Sequence, residues 1–133
     1  MHSNFEFLEN DWEQLAGLGK IAEKMLFEDL NTVGVKVRQI GEFIASAILK
    51  YERIPEKFRM TQEERINSLK SNGLIDETIE NIFHYIRKKG NGETHYTIDK
   101  TATLSKEDAE LMLSFTIKLC SWFKELYGND YSF

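Results

Sequence analysis

From Asn10 to Tyr127 the apolar residues of this chain return every three or four positions, in runs that open on cap residues and close before glycine or proline. That spacing lines one face of an α-helix, whereas a half-buried strand would alternate with a period of two. A chain of such runs has few choices: each helix must bury its stripe against another, which gives a helical bundle.

The runs set the expected elements. Asn10 is placed to cap the first, with Glu13 reaching back, and Trp12, Leu15, Leu18, Ala22, Met25 and Leu26 supply the stripe; the spacing predicts a helix over 11–28. Gly17 and Gly19 would each weaken it by up to about 1 kcal/mol, unless a neighbouring backbone packs closely there. A second helix starts at Asn31 or Thr32, carries Val33, Val37, Ile40, Ile44, Ala47, Ile48 and Tyr51, and stops near Glu52 because Pro55 follows. Within it, Arg38 and Glu42 are spaced to pair. Arg53 to Met60 reads as a basic loop. Thr61 to Glu64 is a capping box for a short third helix ended by Gly73, and Asp76 caps a fourth with Ile79, Ile82, Phe83 and Ile86 inward. Residues 90–104 read as a polar loop in which His95 to Ile98 alternate briefly. Ser105 to Asp108 opens the last helix, which runs to Tyr127 with Gly128 as its stop. Its apolar residues go most of the way round, as in the central helix of a bundle or one that keeps a face for another subunit. The expected fold is therefore all-α: a bundle of four main helices plus one short helix, in a single domain over 1–133. Residues 1–9 would form an extended arm, and the tail 129–133 carries no cap or core signal, so the natural protein is expected to continue past Phe133.

Composition narrows the function classes. With 17 basic and 22 acidic residues the net charge is −5, which argues against indiscriminate binding to a phosphate backbone but not against a local basic patch. No apolar run is long enough for a membrane span, and the opening M-H-S-N-F-E-F lacks the plan of a signal peptide. The single Cys120 cannot form an internal disulfide and fits a reducing, cytoplasmic setting. Phosphate-binding glycine loops and a serine-hydrolase elbow are missing. His2, His84 and His95 lack the spacing of a zinc site, and the acid pairs Glu63-Glu64 and Glu107-Asp108 sit in first turns, where capping explains them. No cofactor, no metal and no catalytic carboxylate is expected.

One stretch carries more chemistry than packing requires. Ile82 to His95 joins an apolar stripe to a basic helix end at Arg87, Lys88 and Lys89, a break at Gly90-Asn91-Gly92, and His95. Cations at a helix C-terminus meet unpaired carbonyls, which by itself accounts for the basic residues. Histidine beside a guanidinium also suits phosphate recognition, and could cleave RNA without metal by activating the substrate's own 2′-hydroxyl. DNA lacks that hydroxyl, so the same groups would bind it without cutting. Arg87, Lys88, Lys89, Asn91 and His95 are thus the expected nucleic-acid-binding set, with His95 and Arg87 the candidates for catalysis in a ribonuclease, to which the family resemblance below adds Lys89.

Five blocks in register resemble a known helical domain: N-F-E-F-L-E-N-D-W at 4–12, D-L-N-T-V-G-V-K-V-R-Q-I-G-E at 29–42, E-R-I-N-S-L-K-S-N-G-L-I at 64–75, I-R-K-K-G-N-G-E-T-H at 86–95 and S-W-F-K-E-L-Y-G at 121–128. Together they resemble the N-terminal domain of unknown function of type I restriction endonuclease R subunits and related DEAD/DEAH-box helicases. That domain is similar in turn to the HEPN superfamily of helical bundles, many of them dimeric ribonucleases of toxin and phage-defence systems. The HEPN motif places four to six residues between an arginine and a histidine. Here seven residues separate Arg87 from His95, and the five-residue spacing falls to Lys89, which lacks the planar fork of arginine.

The resemblance implies a non-catalytic module that binds nucleic acid or other parts of a restriction complex, with motor and nuclease elsewhere. A HEPN-type metal-independent endoribonuclease is the first alternative. The second is a pure assembly domain, homodimeric, burying its last helix and the Phe5 to Leu8 arm against another chain.

Overall fold

A computed structural model describes residues 2–90 and 104–129. Among these residues the fold is all-helical: a 3-10 turn at Glu6–Leu8, then α1 (Glu13–Met25), α2 (Leu30–Tyr51), α3 (Gln62–Ser71), α4 (Glu77–Gly90) and α5 (Lys106–Tyr127). No described helix is long and apolar enough to cross a membrane.

The helix at the centre is α2, not α5. It touches all four other helices, whereas the main contacts of α5 are with α2 and α4. The reason lies in side-chain size as well as hydropathy. Val33, Val37, Ile40, Ile44, Ile48 and Leu49 are fully buried on α2, and Gly34, Gly41 and Ala45 lower its surface enough for other helices to come close. On α5 the apolar girdle is only partly used, leaving Leu111 and Leu126 about half exposed. Thr116, inside that helix, is fully buried, and its hydroxyl donates to the Met112 carbonyl at 2.6 Å.

Boundaries follow cap chemistry. Asp29, two or three residues before the expected start, caps α2 by accepting from the Asn31 and Thr32 amides. The Thr61 capping box is made on both sides, Asp76 accepts from the Ile79 amide at 2.8 Å, and Ser105 accepts from the Asp108 amide at 3.0 Å. Arg38 and Glu42 pair at 3.1 Å. Asn10 does not cap α1: Trp12 holds the cap position without a side-chain bond, and the helix is shorter at both ends than the stripe predicts.

The N-terminal residues lie on the body, but in a 3-10 turn rather than extended. Phe5 and Leu8 are fully buried, and Ser3 and Asn4 bond to the Glu23 carboxylate on α1. It is the Phe5 ring, not a helix backbone, that needs Gly19; beside Gly17 there is open space.

Candidate nucleic-acid interface

The sequence directs attention to the last turn of α4. This helix follows the dipole rule, with Glu77 and Glu80 in its first turn and Arg87, Lys88 and Lys89 in its last. Its apolar face, Ile79, Ile82, Phe83 and Ile86, is buried in the core. The last described residue of the helix, Gly90, packs on α2. A Cβ built there would stand 2.8 Å from Arg38 Cβ and 2.9 Å from the Gly34 carbonyl oxygen, so only glycine fits.

Successive residues of a helix point about 100° apart, and the three cations accordingly diverge. Arg87 turns toward α3, where a guanidinium nitrogen lies 3.5 Å from Glu63 Oε2 and 3.5 Å from His84 Nδ1. Its Nε is buried and has no hydrogen-bond partner. Lys89 turns the other way, 3.7 Å from the Asp108 carboxylate at the start of α5. Lys88, between them, is exposed. Arg87 and Lys89 are thus held by acids from two different helices, and the turn offers separate positive groups rather than one dense patch. Asn91 and His95 lie outside the described residues, as does the stretch expected to alternate at 95–98.

His84 is a site residue that the sequence reading passed over. Its Nε2 is 3.7 Å from Glu80 Oε2, whose partner oxygen is 3.2 Å from Lys70 Nζ on α3. Lys70, Glu80, His84, Arg87 and Glu63 therefore form one chain of polar and charged groups across α3 and α4. Burial, with the nearby Arg87 charge, lowers the His84 pKa below its ordinary 6.5, so the ring is neutral at pH 7. The positions 80, 84 and 87 fall at four- and three-residue spacing, the signal that could have exposed the cluster from sequence alone. Chemically, the neutral imidazole is a hydrogen-bonding group, and Arg87 supplies a guanidinium whose carboxylate partner among the described residues, Glu63, is itself largely solvent-facing. Among the described residues no group of three His, Cys, Asp or Glu is placed to hold a metal ion.

Comparison with known proteins supplies the family. Residues 20–130 match the model of a family described as a domain of unknown function, DUF4145. The chain belongs to that family. Over 132 residues it is also 30% identical to the type I restriction enzyme EcoKI endonuclease subunit of Escherichia coli (strain K12). That alignment takes in 98% of this chain but 11% of the relative, so the DUF4145 chain spans about a ninth of the length of the curated protein it resembles. No solved structure matches it significantly.

Proposed function

We propose that this DUF4145 chain is a non-catalytic, HEPN-like interaction module of a type I restriction R subunit or a related defence helicase, working in the cytoplasm and contacting nucleic acid or a partner protein through the 87–95 corner. The observation that carries the reading is the proportion of the alignment: nearly the whole bundle corresponds to a small part of a restriction endonuclease subunit. A unit of that size, added to a much larger enzyme, fits recognition or assembly better than the motor or nuclease chemistry. The last turn of α4 supports it locally, because Lys88 is exposed and Arg87 is tethered by a carboxylate that a phosphate could replace.

The test is incubation of the purified chain, in EDTA, with labelled single-stranded RNA and duplex DNA, scoring both mobility shift and cleavage. The expected result is a shift that falls with rising salt, is weakened by Arg87→Gln, Lys88→Gln and Lys89→Gln together, and leaves the substrate intact. RNA cleavage lost on His95→Ala would overturn the non-catalytic reading in favour of a metal-independent ribonuclease. A stable dimer that binds no nucleic acid and is indifferent to the three substitutions would favour a pure assembly role.

A further inference from the structure

A second surface stands out between α2 and α3. Among the described residues only two that are not glycine have positive φ, and both are arginines of this one loop: Arg53 and Arg59, each at 58°. Arg53 ends α2. Its amide donates to the Lys50 carbonyl at 3.1 Å and the Ile54 amide to the Leu49 carbonyl at 2.8 Å, the pair of bonds that closes a helix on a left-handed residue. Helix α3 closes in the same way, with Gly73 at φ 72°, its amide 3.0 Å from the Lys70 carbonyl and the Leu74 amide 2.9 Å from the Leu69 carbonyl. The chain thus uses glycine for this task at one helix end and accepts a strained arginine at the other. Arg59 repeats the pattern: it is the third residue of a turn closed by the Met60 amide on the Lys57 carbonyl at 3.2 Å, where positive φ favours glycine or asparagine. Strain of this kind collects where a side chain is wanted for something other than the fold.

The neighbouring charges leave those side chains available. Glu56 is engaged by Arg65 at 3.0 Å, Lys57 by Glu64 at 2.8 Å, and Glu52 accepts from the Tyr127 hydroxyl at 2.7 Å. Arg53 and Lys50 make no ion pair among the described residues. Arg59 lies over the ring of Phe58, 5.3 Å from its centroid, and Phe58 is 89% exposed. An aromatic face left in solvent with the Arg59 guanidinium over it, in a loop that carries a second unpaired arginine at Arg53 and whose carboxylates are already occupied, is complementary to a nucleic-acid strand: phosphates for the cations and a base for the ring. In a duplex the base faces are stacked inside and closed to Phe58.

We propose that the loop over 52–61 binds single-stranded nucleic acid, Arg53 and Arg59 holding backbone phosphates and Phe58 stacking on an unpaired base. The proposal goes beyond the reading above, since it uses no residue of the 87–95 corner.

The experiment is fluorescence anisotropy of the whole chain with labelled single-stranded DNA, single-stranded RNA and duplex DNA of equal length, in EDTA, from 50 to 200 mM salt. Single strands are expected to bind more tightly than duplex, and the two strand types together show whether the sugar matters. Phe58→Ala should weaken single-strand binding about tenfold. Arg53→Gly and Arg59→Gly should each lower the slope of log affinity against log salt by about 0.7. Both glycine variants relieve backbone strain, so their thermal midpoints should be unchanged or raised, which separates lost binding from lost folding. Retained binding in the three loop variants together, with loss in the Arg87, Lys88 and Lys89 variant, would overturn this proposal and leave the corner standing. Absence of single-strand binding, or self-association abolished by Phe58→Ala, would overturn it in favour of a protein contact.

Discussion

Phe5 and Gly19 compete for one space: a Cβ added to Gly19 would stand 2.2 Å from Cγ of the fully buried Phe5 ring. The N-terminal turn is therefore keyed into α1 by a single missing methyl group. Gly19→Ala should destabilise the chain by about 1–3 kcal/mol through overpacking. Gly17→Ala, two residues away with open space around it, should instead stabilise it by about 0.5–1 kcal/mol through helix propensity. Urea midpoints of the two variants, measured side by side, check the opposite signs.

A second prediction concerns acid. The Asp11 carboxylate, 3% exposed, bonds to Lys124 Nζ at 2.7 Å and to the Asn129 amide at 3.0 Å, tying the segment before α1 to the end of α5. The bond from Lys124, followed by that from the Asn129 amide, holds the Asp11 pKa below its ordinary 3.8. A carboxylate with a lowered folded pKa stabilises fully above its unfolded value, and that contribution is lost as pH falls through the folded value. Asp11→Ala should cost about 1–3 kcal/mol at pH 7, and the gap from wild type should begin to close below about pH 4. Denaturation at a series of pH values measures it; a gap that stays constant down to pH 2 would exclude the pair as its source.

Cys120 gives a third. Its thiol is fully buried on α5, and burial pushes its pKa up to about 12. Neither thiolate nor access is available in the folded chain, so a thiol reagent at pH 8 should leave it unmodified for as long as the fold persists. Reaction should appear with the urea unfolding transition and follow the same midpoint.

Most of the fold was legible because local signals and tertiary packing agree. Thr61, Asp76 and Ser105 cap where their side chains predict, and the inward residues of α4 are the ones its stripe names. Disagreement arose where a distant contact overruled a local one. Asn10 has cap chemistry, but Asp11 beside it is drawn to Lys124 and Trp12 stacks on Phe123 at 4.2 Å, which delays the start of α1. Periodicity could not rank α2 above α5, since the small residues that admit neighbours look like weak points in a stripe. In the site, the sequence identified Arg87, Lys88 and Lys89 as a group by proximity along the chain. The helix turn separates them in space, and it joins Arg87 instead to His84 and Glu63.

The last prediction concerns what holds that turn in place. Gly34 and Gly90 face each other where α2 and α4 cross, yet they are unequal. A Cβ on Gly34 would meet Leu104 Cδ2 at 3.6 Å and Gly90 Cα at 3.7 Å, ordinary contact distances. On Gly90 the clash at 2.8 Å is with Arg38 Cβ and that at 2.9 Å with the Gly34 carbonyl, and neither atom is the free end of a flexible side chain. Gly34→Ala should therefore be neutral or slightly stabilising, whereas Gly90→Ala should cost about 1–3 kcal/mol if the helices separate to admit the methyl group. A cheaper escape exists, because Gly90 ends its helix: the final turn of α4 can unwind, which would carry Lys89 away from Asp108 while the core at Ile82, Phe83 and Ile86 stays buried. Urea denaturation and nucleic-acid binding measured on the same variant distinguish the two. A large stability loss with affinity retained would mean that α2 and α4 move apart as rigid bodies. A small stability loss with weakened affinity would mean that the last turn frays, and that its attachment to α2 is what keeps the corner ready to bind.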